Sequence, residues 1–196
     1  MIILLPGAAR AAIQCSMACE QPTVTKTSLG SIGVMISGAV LYNPDEGDNK
    51  TPAMANNFTI TDANGITASF VDKCAGHPIP MQGAYHYHGL SSCVTAKVDA
   101  AGKASHVIGF ALDGFPIYGD RDIKGKQLTA KNLDQCNGIY SATPEFPKGI
   151  YHYVLLGTAD VRSSIACFHA SSFLSRDTLK TVNPLAVLNF AFEYLS

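Results

Sequence analysis

The chain contains no tryptophan, and charged residues fill only 15% of its 196 positions, against roughly 25% in ordinary soluble domains. Neither sign is in surplus: 14 Lys and Arg stand against 15 Asp and Glu, for a net charge of −1. That balance excludes a basic nucleic-acid binder and an acidic tail protein. No apolar run is long enough to span a bilayer as a helix, which takes roughly 18 residues. No Gly-x-Ser-x-Gly elbow, P-loop or dinucleotide fingerprint occurs. No CxxC pair occurs either, which argues against a thiolate metal site. What remains is 47% hydrophobic, with 17 Gly and 10 Pro. Such a chain folds, turns often, and has the length for one domain with a sizeable core.

Six cysteines are many for this size. An even count fits three disulfides and an oxidising compartment, secreted or periplasmic, although six cysteines allow 15 pairings. Two glycosylation sequons, Asn49-Lys-Thr51 and Asn57-Phe-Thr59, agree with export from a eukaryotic cell. Residues 1–29 read as an N-terminal extension or the remnant of a signal. Met1-Ile-Ile-Leu-Leu5 is apolar and an A-x-A-like pattern follows, without a basic leading region.

An internal repeat organises the middle of the chain. Ile32-Gly-Val-Met-Ile-Ser-Gly-Ala-Val-Leu-Tyr42 aligns without gaps to Ile108-Gly-Phe-Ala-Leu-Asp-Gly-Phe-Pro-Ile-Tyr118. Asp72-Lys-Cys-Ala-Gly76 is matched by Asp134-Gln-Cys-Asn-Gly138, and Gly83-Ala-Tyr-His-Tyr87 by Gly149-Ile-Tyr-His-Tyr153. Cys93 and Cys167 close the two halves. The chain therefore reads as two related modules, about 30–95 and 106–170. The symmetric disulfide solution is Cys74–Cys93 and Cys136–Cys167, one per module, which leaves Cys15–Cys19.

The local patterns are mostly β. Apolar runs at 32–36 and 107–112 end in x-Gly turns, which suits tight hairpins. The segment 58–70 reads as two strands around Asp62-Ala-Asn-Gly65. Tyr85-His-Tyr-His88 and residues 151–156 alternate in type and read as strands. Leu188, Phe190, Phe192 and Tyr194 alternate with polar or small residues, which predicts a C-terminal strand. The best helix candidate is 159–180. The fold expected is mainly β: two modules packed face to face as one sandwich or barrel-like domain, stapled by disulfides.

Histidine carries the chemistry. On a strand, residues two apart face the same side, so His86 and His88 project together, with Cβ atoms roughly 6.6 Å apart. Two imidazoles at that spacing can converge on one ion. His152 stands at the place of His86 in the second module, and facing modules would bring it in as a third ligand. Val154 stands where a fourth would be, which leaves a coordination position open. His77, in a turn, is a fourth ligand or a loop anchor. Asp113 is a turn residue or a carboxylate orienting a ligand histidine. His106 and His169 read as surface or capping residues. Imidazole sets favour copper first, with zinc second. The plainer alternative is a buried hydrogen-bond network of histidine and tyrosine.

These residues resemble the YHYH-domain family, named for the tetrapeptide at Tyr85-His-Tyr-His88. The shared landmarks include Asp72-Lys-Cys-Ala-Gly-His-Pro78, Leu112-Asp-Gly-Phe-Pro-Ile-Tyr-Gly119, Thr143-Pro-Glu-Phe-Pro147 and Gly149-Ile-Tyr-His-Tyr153. The resemblance makes 30–196 a single YHYH-like domain. It implies an extracytoplasmic setting and a second motif fuller than this chain's, and it implies little about activity. Three functions follow as expectations: a secreted metal-binding protein with copper preferred, an extracellular structural or adhesive module, and a copper-dependent oxidoreductase. No nucleic-acid partner and no membrane span are expected.

Overall fold

The structure is a computed structural model that describes residues 24–55, 59–61, 63–69, 71–79 and 83–169. The expectations for 1–23 (including Cys15–Cys19), for Asn57, for a helix beyond 169 and for the C-terminal strand lie outside these residues.

The described chain is mainly β. Its strands are β1 Thr25–Lys26, β2 Ser31–Met35, β3 Val40–Tyr42, β4 Thr59–Thr61, β5 Thr67–Ser69, β6 Gly76–Pro78, β7 Tyr85–Tyr87, β8 Val107–Ala111, β9 Pro116–Tyr118, β10 Gly138–Ser141, β11 Ile150–Val154 and β12 Cys167–Phe168. One short helix, α1, covers Ser92–Thr95. The strands β4 and β5 form the hairpin expected within 58–70.

The helix expected from 159 is absent where that segment is described. A 3₁₀ turn at Val161–Ser163 stands there, capped by the Asp160 carboxylate, which accepts from the Arg162 amide. The reason is competition for the polar groups. Ser163 donates to the His88 carbonyl and Ser164 to the Tyr42 carbonyl. Cys167 is then tied to β1 and to Cys136.

Eight strands form one sheet in the order β10-β11-β9-β8-β2-β3-β7-β6. The order reads the same from both ends inward. β2 and β8 pair antiparallel at the centre, each with its hairpin partner outside it. Beyond those lie β7, parallel to β3, and β11, parallel to β9. The edge strands β6 and β10 pair antiparallel to them. The described strands do not confirm the sandwich or barrel-like packing expected of the two modules. The halves join side by side in one sheet, and no described pairing closes β10 onto β6.

Two glycines explain the seam. A Cβ on Gly33 would lie 2.7 Å from the Phe110 carbonyl oxygen, and one on Gly109 would lie 2.6 Å from that of Val34. Only a bare backbone lets β2 and β8 approach this closely.

One face of the sheet carries the main core, including Ile32, Leu41, Tyr87, Ile108, Ile117 and Tyr153. Alternation sends the next residues to the opposite face. There Val154 packs with Leu128 and Leu156 at the β11 end. At the other end of that face stand the histidines.

The disulfides Cys74–Cys93 and Cys136–Cys167 span sequence separations of 19 and 31. Each stabilises by roughly 3–4 kcal/mol in the chain-entropy model. Both sit beside the same turn chemistry. Asp72 accepts from the amides of Cys74 and Gly76, and Asp134 from those of Cys136 and Gly138. Tyr85 donates to Asp72 and Tyr151 to Asp134.

Candidate metal centre

The edge pair β6–β7 builds the site. His77 and His86 are directly opposite in the ladder, so their side chains share a face. His88, two residues beyond His86, points to the same side, while Tyr87 packs into the core on the other. His88 is held by its amide donating to the Ala75 carbonyl. The three side chains are buried, at 5%, 3% and 2% exposure for His77, His86 and His88.

One ring nitrogen from each of His77, His86 and His88 lies within 4.8 Å of the others. The rings of His77 and His88 stack nearly parallel at 5.1 Å, and His86 stands edge-on to both. Tyr42 stacks on His86 at 3.9 Å.

The proton arrangement follows from the backbone. Nδ1 of His77 lies 3.1 Å from the Pro78 carbonyl, Nδ1 of His86 3.4 Å from that of Ala84, and Nδ1 of His88 2.9 Å from that of Asn43. A carbonyl only accepts, so each Nδ1 is the donor and carries the proton. Nε2 is then the lone-pair nitrogen of each ring. This is the second-neighbour hydrogen bonding that orients histidines toward a metal.

Burial favours the neutral form of the His86 and His88 rings. Burial, then the neighbouring His88 and His77, lower the His86 pKa to about 4. Burial also lowers that of His88. A neutral imidazole is the ligating form. Glu46 is the nearest carboxylate: its Oε1 is 3.6 Å from His77 Nε2 and 3.8 Å from His88 Nε2. It sits in the loop after β3, which sequence reasoning passed over. The signal available there was the acidic run Asp45-Glu46-Gly-Asp48, which begins three residues after the repeat element ending at Tyr42.

His152 is not brought to the triad. It stands on β11, and four strands separate β11 from β7 in the sheet, or about 24 Å at normal strand spacing. Side-by-side joining of the halves, in place of face-to-face packing, is the reason. His152 Nδ1 donates to the Ile150 carbonyl, its ring meets Tyr118 edge-on, and burial lowers its pKa. His77, expected as a fourth ligand or loop anchor, takes the third position. Asp113 is buried in the β8–β9 turn, where Oδ2 accepts from the Tyr153 hydroxyl at 2.5 Å and the His169 amide at 3.1 Å. It orients a tyrosine, not a member of the triad. His106 donates to Glu145 at 2.7 Å, and His169 stacks on Tyr151. Asn49 is exposed in a left-handed turn at φ 56°.

The sequence model described as YHYH protein matches residues 11–129 and 121–169. The chain belongs to the YHYH family. No curated protein and no solved structure matches it. The tetrapeptide that names this family is thus β7 and the residue that follows it, and it supplies two of the three clustered imidazoles.

Proposed function

We propose that this YHYH protein is an extracytoplasmic metal-binding protein that holds a transition-metal ion at His77, His86 and His88. One observation carries the reading. Three buried imidazoles converge while each Nδ1 faces a backbone carbonyl, the second-neighbour bonding that orients a histidine toward an ion. The buried Nε2 of His88 has no hydrogen-bond partner among the described residues, an arrangement that is costly without a cation. Copper is the first choice, because imidazole sets bind copper(II) most tightly along the divalent series, with zinc second.

Two disulfides support an oxidising compartment. No helix among the described residues is long and apolar enough to cross a membrane. Exposed Asn49 suits a glycan if the source is eukaryotic. The matched order of strands from both ends of the sheet supports reading the halves as two copies of one module.

The test is elemental analysis of protein purified from its own source, followed by copper(II) and zinc titration of metal-free protein. Stoichiometric binding lost in His86→Ala and kept in His152→Ala is the expected result. No metal in either measurement would leave the structural or adhesive module as the better reading.

A further inference from the structure

Glu46 has no role yet, and its surroundings ask for one. Its backbone is firmly held. The Glu46 amide donates to the Thr51 carbonyl, Asn49 donates back to the Glu46 carbonyl, and Asp45 bridges to Pro52. Asp48 tightens the same loop by accepting from the Lys50 and Thr51 amides. The side chain is thereby carried to the triad by a braced loop.

There its Oε1 is buried and has no hydrogen-bond donor among the described residues, and the same is true of His88 Nε2. The two atoms lie 3.8 Å apart, and Oε1 lies 3.6 Å from His77 Nε2. Those separations are too long for hydrogen bonds. They are close to what two donors on one ion require. Ligands at about 2.05 Å in tetrahedral geometry stand about 3.4 Å apart. A carboxylate oxygen buried beside the lone-pair nitrogen of His88, with no donor to either, is otherwise a costly arrangement.

We infer that Glu46 is the fourth donor, giving a three-nitrogen, one-oxygen set that takes a divalent borderline cation, copper(II) or zinc, in preference to copper(I). This rests on the proposed metal-binding reading and deepens it. A carboxylate oxygen is a hard donor, which adds affinity for a divalent ion and little for soft copper(I). Its single negative charge also offsets half of the ion's charge in a buried site. With four protein donors a tetrahedral shell is closed, which is the arrangement of holding sites and not of open catalytic ones. The position that the apolar Val154 suggested was open is thus filled from a loop, and the oxidoreductase alternative loses its open position.

The experiment titrates zinc, and separately copper(I) against a chromogenic competitor, into metal-free wild type, Glu46→Gln, Asp45→Asn and His86→Ala. Glu46→Gln should lower zinc affinity by about 10-fold or more and shift copper(I) affinity by less than about 3-fold, the range that removal of a ligand-field partner produces. Asp45→Asn, the neighbouring carboxylate, should bind zinc as wild type does. Infrared difference spectra of wild type on zinc addition should show a shifted carboxylate stretch, which needs no variant to fold. Zinc binding equal to wild type in Glu46→Gln, or no carboxylate shift, overturns the inference and leaves the triad standing. Binding that survives His86→Ala but not Glu46→Gln overturns the triad instead. Wild type that binds neither ion overturns both.

Discussion

The two ends of the sheet share a frame and differ in what the frame holds. At the β6–β7 end, Asp72 ties a cysteine turn, Ala75 sits left-handed at φ 64°, and Tyr87 donates to Ser37. At the β10–β11 end, Asp134 ties the matching turn, Asn137 sits at φ 67°, and Tyr153 donates to Asp113. His88 donates its amide to the Ala75 carbonyl, and Val154 donates its amide to that of Asn137. Yet opposite His86 stands His77, whereas opposite His152 stands Ile139. Where one end has His88, the other has Val154, packed against Leu128 and Leu156. The frame therefore does not need imidazoles at the positions of His77 and His88. At the positions of His77 and His88 an apolar filling, Ile139 and Val154, serves it. Both ends bury a histidine at the cost of desolvation, His86 and His152, but only the β6–β7 end gathers three.

The comparison is broken most severely at the seam both halves share. Gly33→Ala and Gly109→Ala each drive a Cβ into a backbone carbonyl, and each should lose about 3–4 kcal/mol in urea unfolding. A loss in one variant alone would show that the two sides of the seam are not equivalent.

Next in size is the paired substitution of corresponding histidines. His86→Ala and His152→Ala each empty a buried ring site, so metal-free stability should fall by about 2–3 kcal/mol in both. Metal affinity should fall by about 100-fold or more in His86→Ala only, since a ligand loss exceeds the 10–100-fold of a supporting residue. Calorimetric titration decides it, and equal affinity losses would erase the distinction between the ends.

The reverse construction sharpens it. Ile139→His with Val154→His places imidazoles at the positions of His77 and His88 around His152. The double variant should lose about 2 kcal/mol of stability by burying two polar rings and gain a second, weaker metal equivalent. An unchanged stoichiometry would mean that the loop carrying Glu46 is what makes the first site.

The smallest effect is acid sensitivity, which both halves contribute. The His86 pKa is lowered to about 4, and those of His88 and His152 are also lowered, all mainly by burial. Between the ordinary histidine value near 6.5 and about 4, the unfolded chain therefore binds more protons than the folded one. Stability should be level above pH 6.5 and fall as pH drops through that window. His152→Phe should make the fall shallower. Stability that rises on acidification toward pH 4.5 would contradict neutral buried rings.

Much of this was legible locally. The x-Gly turns set Gly38 and Gly114 at the same φ of 89°, because only glycine takes that conformation freely. The alternation of Tyr85, His86, Tyr87 and His88 announced two faces, since strand geometry has period two whatever surrounds it. The paired Asp-x-Cys turns announced their own hydrogen bonds. The helix expected from 159 is absent over 159–169 because nothing nearby in sequence reveals that Ser163 and Ser164 bond to the carbonyls of His88 and Tyr42. His77 was undervalued because a turn-like Cys-Ala-Gly-His-Pro run hides a three-residue strand that only β7 stabilises.

By itself, then, the sequence determined the strand faces, the turn positions and the pair of histidines on one side of β7, because backbone dihedrals and side-chain alternation act within a few residues. Tertiary structure alone decided how the halves meet, and with that which third histidine joins the pair. Two glycines let β2 and β8 come edge to edge, His152 was carried to the far end of the sheet, and the antiparallel partner β6 brought His77 across the ladder. Glu46 arrived through a braced loop. Pairing between strands distant in the chain is a sum of many weak contacts, and no local pattern records where that sum is lowest.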